Sequence, residues 1–491
     1  MSLKRNQRLD FSKYSFYKGS IKNGVPHGKG EIVTSNSILK GKWKEGKIEG
    51  KGIVEINING LFFIGGDTPN NEKHPFSSFF IMRENKQIES LPPCLLGRSV
   101  GHLMCIDHYL YFIGGFDGNR AVPNVERFDF FQNQWENVSP LLYRRASFGS
   151  FLYNSKIYVF GGVMGCIVHN TMEEYNYKEN KWTIFASLRY GRSSCFVHQW
   201  KEKCYILGGI SSTLGQLPLE IFNMNTKESS IKEDIIISSY GSASILIEIE
   251  EKPFILIAGG RKKQEILKDV YSYSIEENQL KKIGSLHIER VYCSLLFFQN
   301  KLYCIGGHDK EKNAILPYEI YNFKTDTWEL VTNNNKQPTV GTSFLPIENQ
   351  KISLEGKWKD GILHGKTTIQ INETIIEGRY KNGKKEGFFN DIYYKNNIPV
   401  SYQEILWEEK VKKIKNIPDN FKCPISLEIM LDPVIIESGI TFDRKNIEEW
   451  FLHHNTCPLT RNVVNKKCIP NKMIKTMIYE CIEKKNKKRY L

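Results

Sequence analysis

Short apolar runs that end in two glycines recur along the middle of the chain. The runs are LFFIGG (61–66), LYFIGG (110–115), IYVFGG (157–162), CYILGG (204–209), ILIAGG (255–260) and LYCIGG (302–307). Successive pairs lie 47 to 51 residues apart, and an aromatic residue follows each pair by 13 or 14 residues. Each unit predicts four short strands that cannot bury their faces alone, so neighbouring units must pack together.

These six units resemble the kelch repeat over residues 59–350, and in three of them a tryptophan follows the aromatic residue (Trp135, Trp182 and Trp328). The resemblance implies a six-bladed β-propeller. Repeat 1 lacks an inner strand of its own, whereas VGTSFLPIE (340–348) has the pattern of an inner strand without a following double glycine. We expect this late strand to complete the first blade and leave no open sheet edge.

A second repeat flanks the first. YKGSIKNGVPHGKGEIV (17–33) and LKGKWKEGKIEGKGIVEI (39–56) superpose with a step of 22 residues, as do LEGKWKDGILHGKTTIQI (354–371) and IEGRYKNGKKEGFFNDI (376–392). They resemble MORN repeats, which are stacked β-hairpins. Two hairpins alone form a poor sheet. We therefore expect residues 15–58 and 351–392 to form one four-hairpin sheet into which the propeller is inserted.

The remaining segments are shorter. Residues 1–14 are predicted to form an N-terminal tail, and residues 393–416 a linker helix that Ser401 caps. The apolar positions of that helix are Ile405, Leu406, Val411 and Ile414. A helix whose apolar face binds a partner is the alternative.

Net charge and cysteine content limit the partners and the compartment that the sequence allows. The net charge of +14 is concentrated at residues 1–58, 351–390 and 465–491. Such charge suits anionic lipid or nucleic acid, but lysines on solvated strands and on a terminal tail are the commoner explanation, and no nucleic-acid partner is expected. The N-terminus lacks a signal-peptide core and no apolar run reaches membrane-span length. With eleven unpatterned cysteines, we expect a soluble cytoplasmic protein, with the nucleus or a peripheral membrane as alternatives.

The stretch FKCPISLEIMLDPV (421–434) reads like the first loop of a RING finger, except that no second cysteine follows Cys423. Downstream we predict a strand pair turning at Ser438-Gly439, a helix from Asp443 to His453, a second loop through Pro458 and a helix from Asn471.

This order lacks the ligands of a zinc finger, so no metal and no cofactor are predicted. A two-zinc site needs eight Cys or His in paired spacing. One improvised zinc site remains as an alternative, and its candidate ligands are Cys423, Cys457, Cys468, His453 and His454.

Residues 417–486 resemble a U-box, the RING relative in which hydrogen bonds and ion pairs replace the metals, and a basic tail (487–491) follows. The matching stretches are IPDNFKCPISLEIMLDPV, SGITFDR, TCPLT and IPN. The candidate polar residues for this network are Ser426, Glu428, Asp432, Glu437, Ser438, Asp443, Arg444 and Thr456. The candidate core residues, some of them at its exposed face, are Phe421, Leu427, Val434, Ile435, Phe442, Ile447, Trp450 and Phe451.

The resemblance implies a ubiquitin-protein ligase that docks a ubiquitin-charged conjugating enzyme. Ile425, Leu427, Pro458 and Thr460 would contact that enzyme, and Arg461 would bridge it to its ubiquitin. Packing of Ile425 and Pro458 inside the domain is the alternative. Such a ligase forms no covalent ubiquitin intermediate, so the two loop cysteines should be structural. A Cys457 nucleophile beside His454 is a further alternative.

Four arginines recur 17 residues before the second glycine of their repeats: Arg98, Arg145, Arg192 and Arg290. In a propeller they would form a ring, which predicts a site for an acidic peptide of a protein substrate. The alternative is that they bond neighbouring backbone.

The sequence thus predicts a multidomain, mainly β protein: a six-bladed kelch propeller inserted in a MORN hairpin sheet, followed by a small α+β U-box that is RING-like and zinc-free. We expect the propeller to select a protein substrate. The main alternative is a non-enzymatic scaffold for cytoskeletal or membrane partners with an inactive U-box, and lipid targeting by the MORN segments is compatible with both.

Overall fold

A computed structural model describes most of the chain. The described residues are 16–33, 37–66, 75–83, 88–211, 215–237, 239–315, 317–323, 325, 327–332, 341–348, 350–389, 392–395, 398–400, 418–471, 473–474 and 476–478. The chain divides into two compact units, Met1–Pro399 and Val400–Leu491. Within the described ranges, no helix is both long and apolar enough to cross a membrane.

The first unit begins with two antiparallel hairpins. Their strands are β1 (Phe16–Lys22), β2 (Val25–Val33), β3 (Ser37–Lys44) and β4 (Lys47–Asn57). The connecting turns Asn23-Gly24 and Glu45-Gly46 have positive φ at both residues, which is the hairpin geometry that matches strand twist. In β4 Ile48, Val54 and Ile56 are buried, so one face of the hairpins faces the core.

Six antiparallel sheets, here called sheets I to VI, follow along the chain. Sheet I contains β5 (Gly60–Ile64), β6 (Phe79–Met82) and β7 (Ile88–Leu91). Sheet II contains β8 (His102–Ile106), β9 (Tyr109–Ile113), β10 (Val125–Asp129) and β11 (Gln134–Val138). Sheet III contains β12 (Gly149–Tyr153), β13 (Lys156–Phe160), β16 (Thr171–Asn176) and β17 (Lys181–Ser187), with a side ribbon of β14 (Val163–Met164) and β15 (Ile167–Val168).

The next three sheets have the same strand order. Sheet IV contains β18 (Ser193–Trp200), β19 (Lys203–Ser211), β20 (Gly215–Gln216), β21 (Pro218–Asn223) and β22 (Ser229–Ile236). Sheet V contains β23 (Ala243–Ile249), β24 (Lys252–Ala258), β27 (Asp269–Ser274) and β28 (Gln279–Ser285), beside the ribbon of β25 (Arg261–Lys262) and β26 (Glu265–Ile266). Sheet VI contains β29 (Val291–Phe298), β30 (Lys301–His308), β31 (Tyr318–Asn322) and β32 (Thr327–Val331).

One late strand belongs to the first of these sheets. β33 (Ser343–Ile347) pairs with β5, which gives sheet I the order β33-β5-β6-β7. The innermost position of sheet I is therefore filled by the end of this chain segment, as the sequence pattern predicted.

The double glycines join neighbouring sheets. After β13, Gly161 has φ +64°, and a Cβ there would lie 2.4 Å from the carbonyl oxygen of Arg192. The N–H of Gly162 donates to that same oxygen at 2.9 Å. Only glycine allows this approach, because the left-handed backbone disfavours a side chain and the neighbouring backbone fills its space.

The chain then returns to the first hairpins. β34 (Lys351–Lys359) pairs with β4, and β35 (Ile362–Ile371), β36 (Thr374–Lys381) and β37 (Lys384–Lys385) complete an eight-stranded sheet of order β1-β2-β3-β4-β34-β35-β36-β37. Asn57 and Lys351 are partners at the start of the β4–β34 register. The buried side chains of this sheet share one core with sheets I and II.

A buried lysine marks the contact between the eight-stranded sheet and sheet II. Lys385 of β37 donates to His108 Nε2 at 3.0 Å and to the hydroxyl of Tyr109. Burial lowers the pKa of Lys385 to about 8, although Asp129 acts in the opposite direction. Burial, together with the charge of Lys385, also holds the pKa of His108 well below its usual value, so its neutral ring accepts the bond.

The segment after this sheet corrects one prediction. β38 (Gly387–Phe389), β39 (Ile392–Lys395) and β40 (Ile398–Val400) are short strands. The linker helix predicted for residues 393–416 is therefore wrong over 393–395 and 398–400. The remainder of that helix, the N-terminal tail and the basic tail lie outside the described residues.

The second unit is a small α+β domain. Its elements are a 3-10 turn (Asp419–Phe421), β41 (Pro433–Ile435), β42 (Thr441–Asp443), helix α1 (Arg444–His453) and β43 (Ile469–Pro470), and the strand order is β42-β41-β43. Residues 473–474 and 476–478 are helical. The helix predicted from Asp443 thus begins one residue later. The core contains Phe421, Cys423, Met430, Val434, Ile436, Phe442, Ile447, Phe451, Cys457, Val464 and Ile478.

Candidate functional site

The first loop of the second unit, CPISLE (423–428), is a tight turn closed by its own backbone. The N–H of Leu427 donates to the carbonyl of Cys423 at 2.8 Å, and the N–H of Cys423 donates to the carbonyl of Glu428 at 2.7 Å. Leu427 has φ +58°, a left-handed conformation that is uncommon for a branched aliphatic residue. The turn therefore holds the Leu427 side chain out toward solvent, where it is 73% exposed.

The second loop, CPLTRN (457–462), repeats the first bond for bond. The N–H of Arg461 donates to the carbonyl of Cys457, and the N–H of Cys457 donates to the carbonyl of Asn462, both at 2.9 Å. Arg461, at the position that Leu427 occupies in the first loop, has φ +60°. Two equivalent turns thus present one apolar and one cationic side chain in the same backbone setting.

The cysteine that begins each loop holds the loop backbone through hydrogen bonds to its sulfur. Cys423 Sγ accepts hydrogen bonds from the backbone N–H of Asp443 and from Asn446 Nδ2, both at 3.3 Å. Burial would raise the pKa of the Cys423 thiol, but hydrogen bonds from the Ser426 backbone and from Asn446 lower it overall. The buried sulfur is an acceptor that holds the loop.

Cys457 plays the same part in the second loop. Its Sγ accepts hydrogen bonds from Ser438 Oγ at 3.4 Å and from the N–H of Thr460 at 3.5 Å. Burial opposes ionisation, but these donors outweigh it and lower the pKa of the thiol to about 7. His454 is not its partner: His454 Nδ1 lies 3.2 Å from the carbonyl oxygen of Trp450 and its ring stacks on Trp450. The geometry gives no support to a Cys457–His454 nucleophile.

Helix α1 links the two loops. Asn446 Nδ2 donates to Ser426 Oγ of the first loop at 2.9 Å, and Trp450 Nε1 donates to the carbonyl of Thr456, next to the second loop, at 2.7 Å. Residues four apart lie on the same face of a helix. One helical face therefore fixes the positions of both loops.

Further polar contacts hold the segments next to the two loops. Asp443 Oδ2 accepts the backbone N–H of Asp432 at 3.1 Å, and Arg444 Nε donates to Asp432 Oδ2 at 2.7 Å. Glu437 accepts the backbone N–H of Asn465 at 2.6 Å. Six of the eight predicted polar residues make side-chain contacts of this kind, whereas Glu428 and Thr456 contribute backbone carbonyls. The sequence did not predict the part played by Asn446.

The predicted docking residues lie on or beside this loop pair. Ile425 is 38% exposed, Pro458 is half-buried, and Thr460 and Arg461 are exposed. Two further exposed apolar side chains, Leu459 (56%) and Val463 (74%), were missed. Aligning CPISLE with CPLTRN would have found Leu459, because it matches Ile425.

The described part of the chain contains no cluster of three or more His, Cys, Asp or Glu side chains positioned to hold a metal ion. The side chain of His453, a candidate ligand, lies outside the described residues. The sulfurs of Cys423 and Cys457 are instead occupied as hydrogen-bond acceptors.

The arginine ring predicted in the first unit requires a correction. Each of the four guanidiniums is fully buried and forms an ion pair with a fully buried glutamate. The pairs are Arg98–Glu126, Arg145–Glu173, Arg192–Glu220 and Arg290–Glu319. A peptide cannot reach these groups, and their charge is already neutralised. The prediction that they bind an acidic substrate is therefore wrong.

The glutamates had a sequence signal that was missed. Each stands two residues before the recurrent aromatic residue of its repeat, and the two repeats without the arginine also lack the glutamate. In sheet III, Glu173 also accepts the N–H groups of Leu142 at 2.7 Å and Tyr143 at 3.2 Å. Each pair thus links a strand of sheet II, III, IV or VI to the segment that precedes that sheet in the chain.

Comparison with known families assigns three parts of the chain. Residues 417–487 match the U-box domain, residues 110–342 match the Attractin/LZTR1 beta-propeller, and residues 17–37, 40–54 and 355–366 match the MORN repeat.

Similar proteins match through the C-terminal segment. "U-box domain-containing protein 20" of Arabidopsis thaliana is 56% identical over 64 residues, which are 13% of this chain and 15% of that protein. "U-box domain-containing protein 21" of the same plant is 51% identical over 71 residues, 14% of this chain and 16% of that protein. The chain thus spans less than a fifth of these relatives.

A solved structure described as "Structure of YjhT" covers 57% of this chain and 99% of its own, with 15% identity and a TM-score of 0.45. The family matches coincide with the elements described above: hairpins at both sides, the sheets between them, and the paired loops at the end. The chain carries MORN repeats, a β-propeller domain and a C-terminal U-box domain.

Proposed function

We propose that this protein is a U-box ubiquitin-protein ligase that binds a ubiquitin-charged conjugating enzyme and promotes transfer to a protein substrate. The observation that carries the proposal is the loop pair. Two equivalent turns, both fixed to one face of α1, present Ile425, Leu427 and Leu459 to solvent. Apolar side chains held rigidly at a surface are typical of a protein-binding site.

Docking on such a surface requires little rearrangement. Both turns are closed by backbone hydrogen bonds and by buried sulfur acceptors, so their shape exists before a partner arrives. Ile425 and Leu427 of the first loop and Pro458 and Thr460 of the second would contact the conjugating enzyme. A preformed surface binds with less loss of conformational entropy.

Arg461 has the position and chemistry of a bridging donor. Its exposed guanidinium offers several N–H groups in a fixed plane, which suits simultaneous bonds to two partners. We propose that it holds the donor ubiquitin against the conjugating enzyme, where the thioester is attacked by the lysine of a substrate. The protein's own residues then act by orientation and by placing donors, without a covalent intermediate.

The test is single-turnover discharge of ubiquitin from a panel of charged conjugating enzymes onto free lysine. Full-length wild type is compared with Ile425→Ala and Arg461→Ala. We expect both changes to slow discharge by roughly tenfold or more, since tenfold corresponds to about 1.4 kcal/mol of transition-state binding. Leu330→Ala removes a side chain of similar exposure from sheet VI and is the control.

Two outcomes oppose the proposal. Discharge that both changes leave intact would remove the site assignment. Wild type that accelerates no conjugating enzyme of the panel would favour the second candidate, a non-enzymatic scaffold for cytoskeletal or membrane partners.

For the first unit we propose that sheets I to VI are the blades of one six-bladed kelch propeller inserted into a MORN sheet formed by β1–β4 and β34–β37. The shared strand order of the sheets and the pairings of β33 with β5 and β4 with β34 support this. The propeller would recruit the protein substrate.

The MORN sheet would support the propeller or contact anionic lipid. Its lysines are partly neutralised in pairs such as Lys18–Glu31 and Lys366–Glu377. Sedimentation with anionic and neutral vesicles tests the lipid contact. Salt-sensitive binding to anionic vesicles alone is the expected result, and equal recovery with both vesicle types would rule it out.

A further inference from the structure

A cavity of about 740 Å³ runs between the innermost strands of all six sheets. Each sheet contributes five or six consecutive residues to its wall. The contributing segments are 100–104, 147–152, 194–199, 241–246, 292–297 and 341–346. The cavity is therefore a feature of the assembled sheets and belongs to no single one.

One end of the cavity is bordered by a belt of hydrogen-bonded backbone. Six residues with left-handed φ begin the segments: Val100, Ser147, Ser194, Gly241, Tyr292 and Gly341. The N–H of Ser194 donates to the carbonyl of Ser147 at 2.8 Å, and that of Tyr292 donates to the carbonyl of Gly241 at 2.7 Å. Because these groups are satisfied between sheets, they do not need a ligand.

The wall of the cavity carries no formal charge. Although a quarter of the chain is charged, none of the 35 described residues that line the cavity is Asp, Glu, Lys or Arg. Its polar side chains are mostly serine and threonine hydroxyls, those of Ser150, Ser244 and Thr342 among them, together with Gln199 and two histidines. The arginines of the sheets are buried in their own ion pairs and do not reach the cavity wall.

Two histidines in the wall are neutral. His102 Nδ1 lies 2.8 Å from Ser150 Oγ, and His198 Nε2 lies 2.8 Å from Ser244 Oγ, so each pair joins neighbouring sheets. Burial lowers the pKa of both histidines to about 4. Neither ring carries charge at physiological pH.

The rest of the cavity wall is lined by apolar side chains, some of which reach the protein surface. Leu152 and Phe297 are each 37% exposed, while Leu246 and Phe344 are half-buried. An entering ligand would meet apolar surface and hydroxyls, but no ion. A charged group that entered would lose hydration without gaining a counter-charge.

We propose that this cavity binds an uncharged segment of the protein substrate, rich in apolar and hydroxyl side chains. The proposal deepens, and rests on, the proposed role of the propeller in substrate recruitment. The volume lies in the range of sites that enclose a ligand, and discrimination comes from the cost of burying charge there. The expected substrate is thus the opposite of an acidic peptide.

The test is selection of random peptides, displayed without free termini, on the immobilised full-length protein. Enriched peptides should share a core of several residues depleted in Asp, Glu, Lys and Arg relative to the unselected library. Binding of the enriched peptides should fall by at least roughly tenfold with Leu152→Asp, which places a carboxylate in the cavity wall. Leu330→Asp makes the same change at an exposed strand position of sheet VI outside the cavity and should leave binding unchanged.

Several results would overturn the proposal: enriched peptides dominated by charged residues, binding that Leu152→Asp leaves intact, or no enrichment above the library. A parallel array of neutral glycans provides a further arm, and binding there in place of peptides would overturn the assignment to a protein segment. Discharge onto free lysine needs no substrate peptide. Discharge onto free lysine by the wild type, measured beside the peptide selection, therefore separates failure of this proposal from failure of the ligase activity.

Discussion

Asn446 and Trp450 lie one turn apart on the same face of α1; Asn446 donates a hydrogen bond to the first loop, and Trp450 donates one to the residue just before the second loop. Asn446 reaches Ser426 and the sulfur of Cys423, whereas Trp450 reaches the carbonyl of Thr456. The distance between the two loops is thereby tied to the pitch of a helix. A partner that contacts both loops meets a surface of fixed width.

Asn446→Ala removes both bonds to the first loop. We expect the free energy of unfolding to fall by about 1–2 kcal/mol, and discharge of the conjugating enzyme to slow, because the loop loses its link to α1. Urea unfolding and the discharge assay measure the two effects. Glu449→Ala, an exposed change on the same helix, should alter neither. Full activity in Asn446→Ala would show that the link is dispensable for docking.

Leu427→Gly and Arg461→Gly separate activity from stability. Both residues have left-handed φ, which costs a side-chain-bearing residue roughly 1–2 kcal/mol that glycine does not incur. We expect each variant to unfold at a urea concentration equal to or above that of wild type, while discharge slows. Leu427→Ala and Arg461→Ala retain the backbone cost and serve as comparisons. Undiminished discharge in the glycine variants would contradict the assigned roles.

Arg145→Met leaves Glu173 buried without its ion-pair partner. Breaking a buried pair typically costs about 3–5 kcal/mol, whereas replacing both partners by apolar residues costs much less. We therefore expect the double change Arg145→Met/Glu173→Met to be more stable than Arg145→Met alone in urea unfolding. A double variant less stable than the single one would mean that the hydrogen bonds from the N–H groups of Leu142 and Tyr143 to Glu173 outweigh the cost of its unpaired charge.

Lys385 predicts a dependence of stability on pH. Its folded pKa is about 8, below the unfolded value near 10.5, so the unfolded chain binds more protons between these values. Stability should rise as pH increases through this window, by about 2 kcal/mol between pH 7.5 and 9.5. Urea unfolding of wild type and Lys385→Met at both pH values isolates the contribution. The variant should lack this rise, and equal rises in both proteins would contradict the buried lysine's role.

Metal removal should leave the C-terminal domain intact. The sulfurs of Cys423 and Cys457 accept hydrogen bonds from Asn446 and Ser438. We expect a strong chelator to leave the unfolding transition and the discharge rate unchanged. Elemental analysis that finds stoichiometric zinc in the purified protein would contradict this.

Elements that arise from local, repeated patterns were the predictable part of the fold. The pairing of β33 with β5 followed from one missing inner strand and one unmatched strand pattern. The segment around Tyr393 and Tyr394 was harder, because its apolar residues suit either a helix or a strand. Aromatic residues favour strands, and the structure has strands there.

Side-chain partnerships were less predictable than backbone elements. Arg145 was recognised as recurrent, but its burial depends on an ion pair with Glu173, which lies 28 residues later on β16. The role of Asn446 depends on a contact with Ser426, 20 residues away, and the spacing of residues along the sequence does not predict such a contact. The exposure of Leu459, in contrast, could have been predicted from the internal similarity of the two loops.

The register partners Asn57 and Lys351 are separated by about 300 residues of chain. At the usual pace of roughly 5–20 residues per second, a ribosome needs about 15–60 s to pass from one to the other. During that interval β4 has no neighbour on its outer side, so a nascent chain exposes an unpaired strand. Such strands invite aberrant pairing. Slow translation or crowded polysomes should therefore make this protein unusually dependent on chaperones that shield the growing chain.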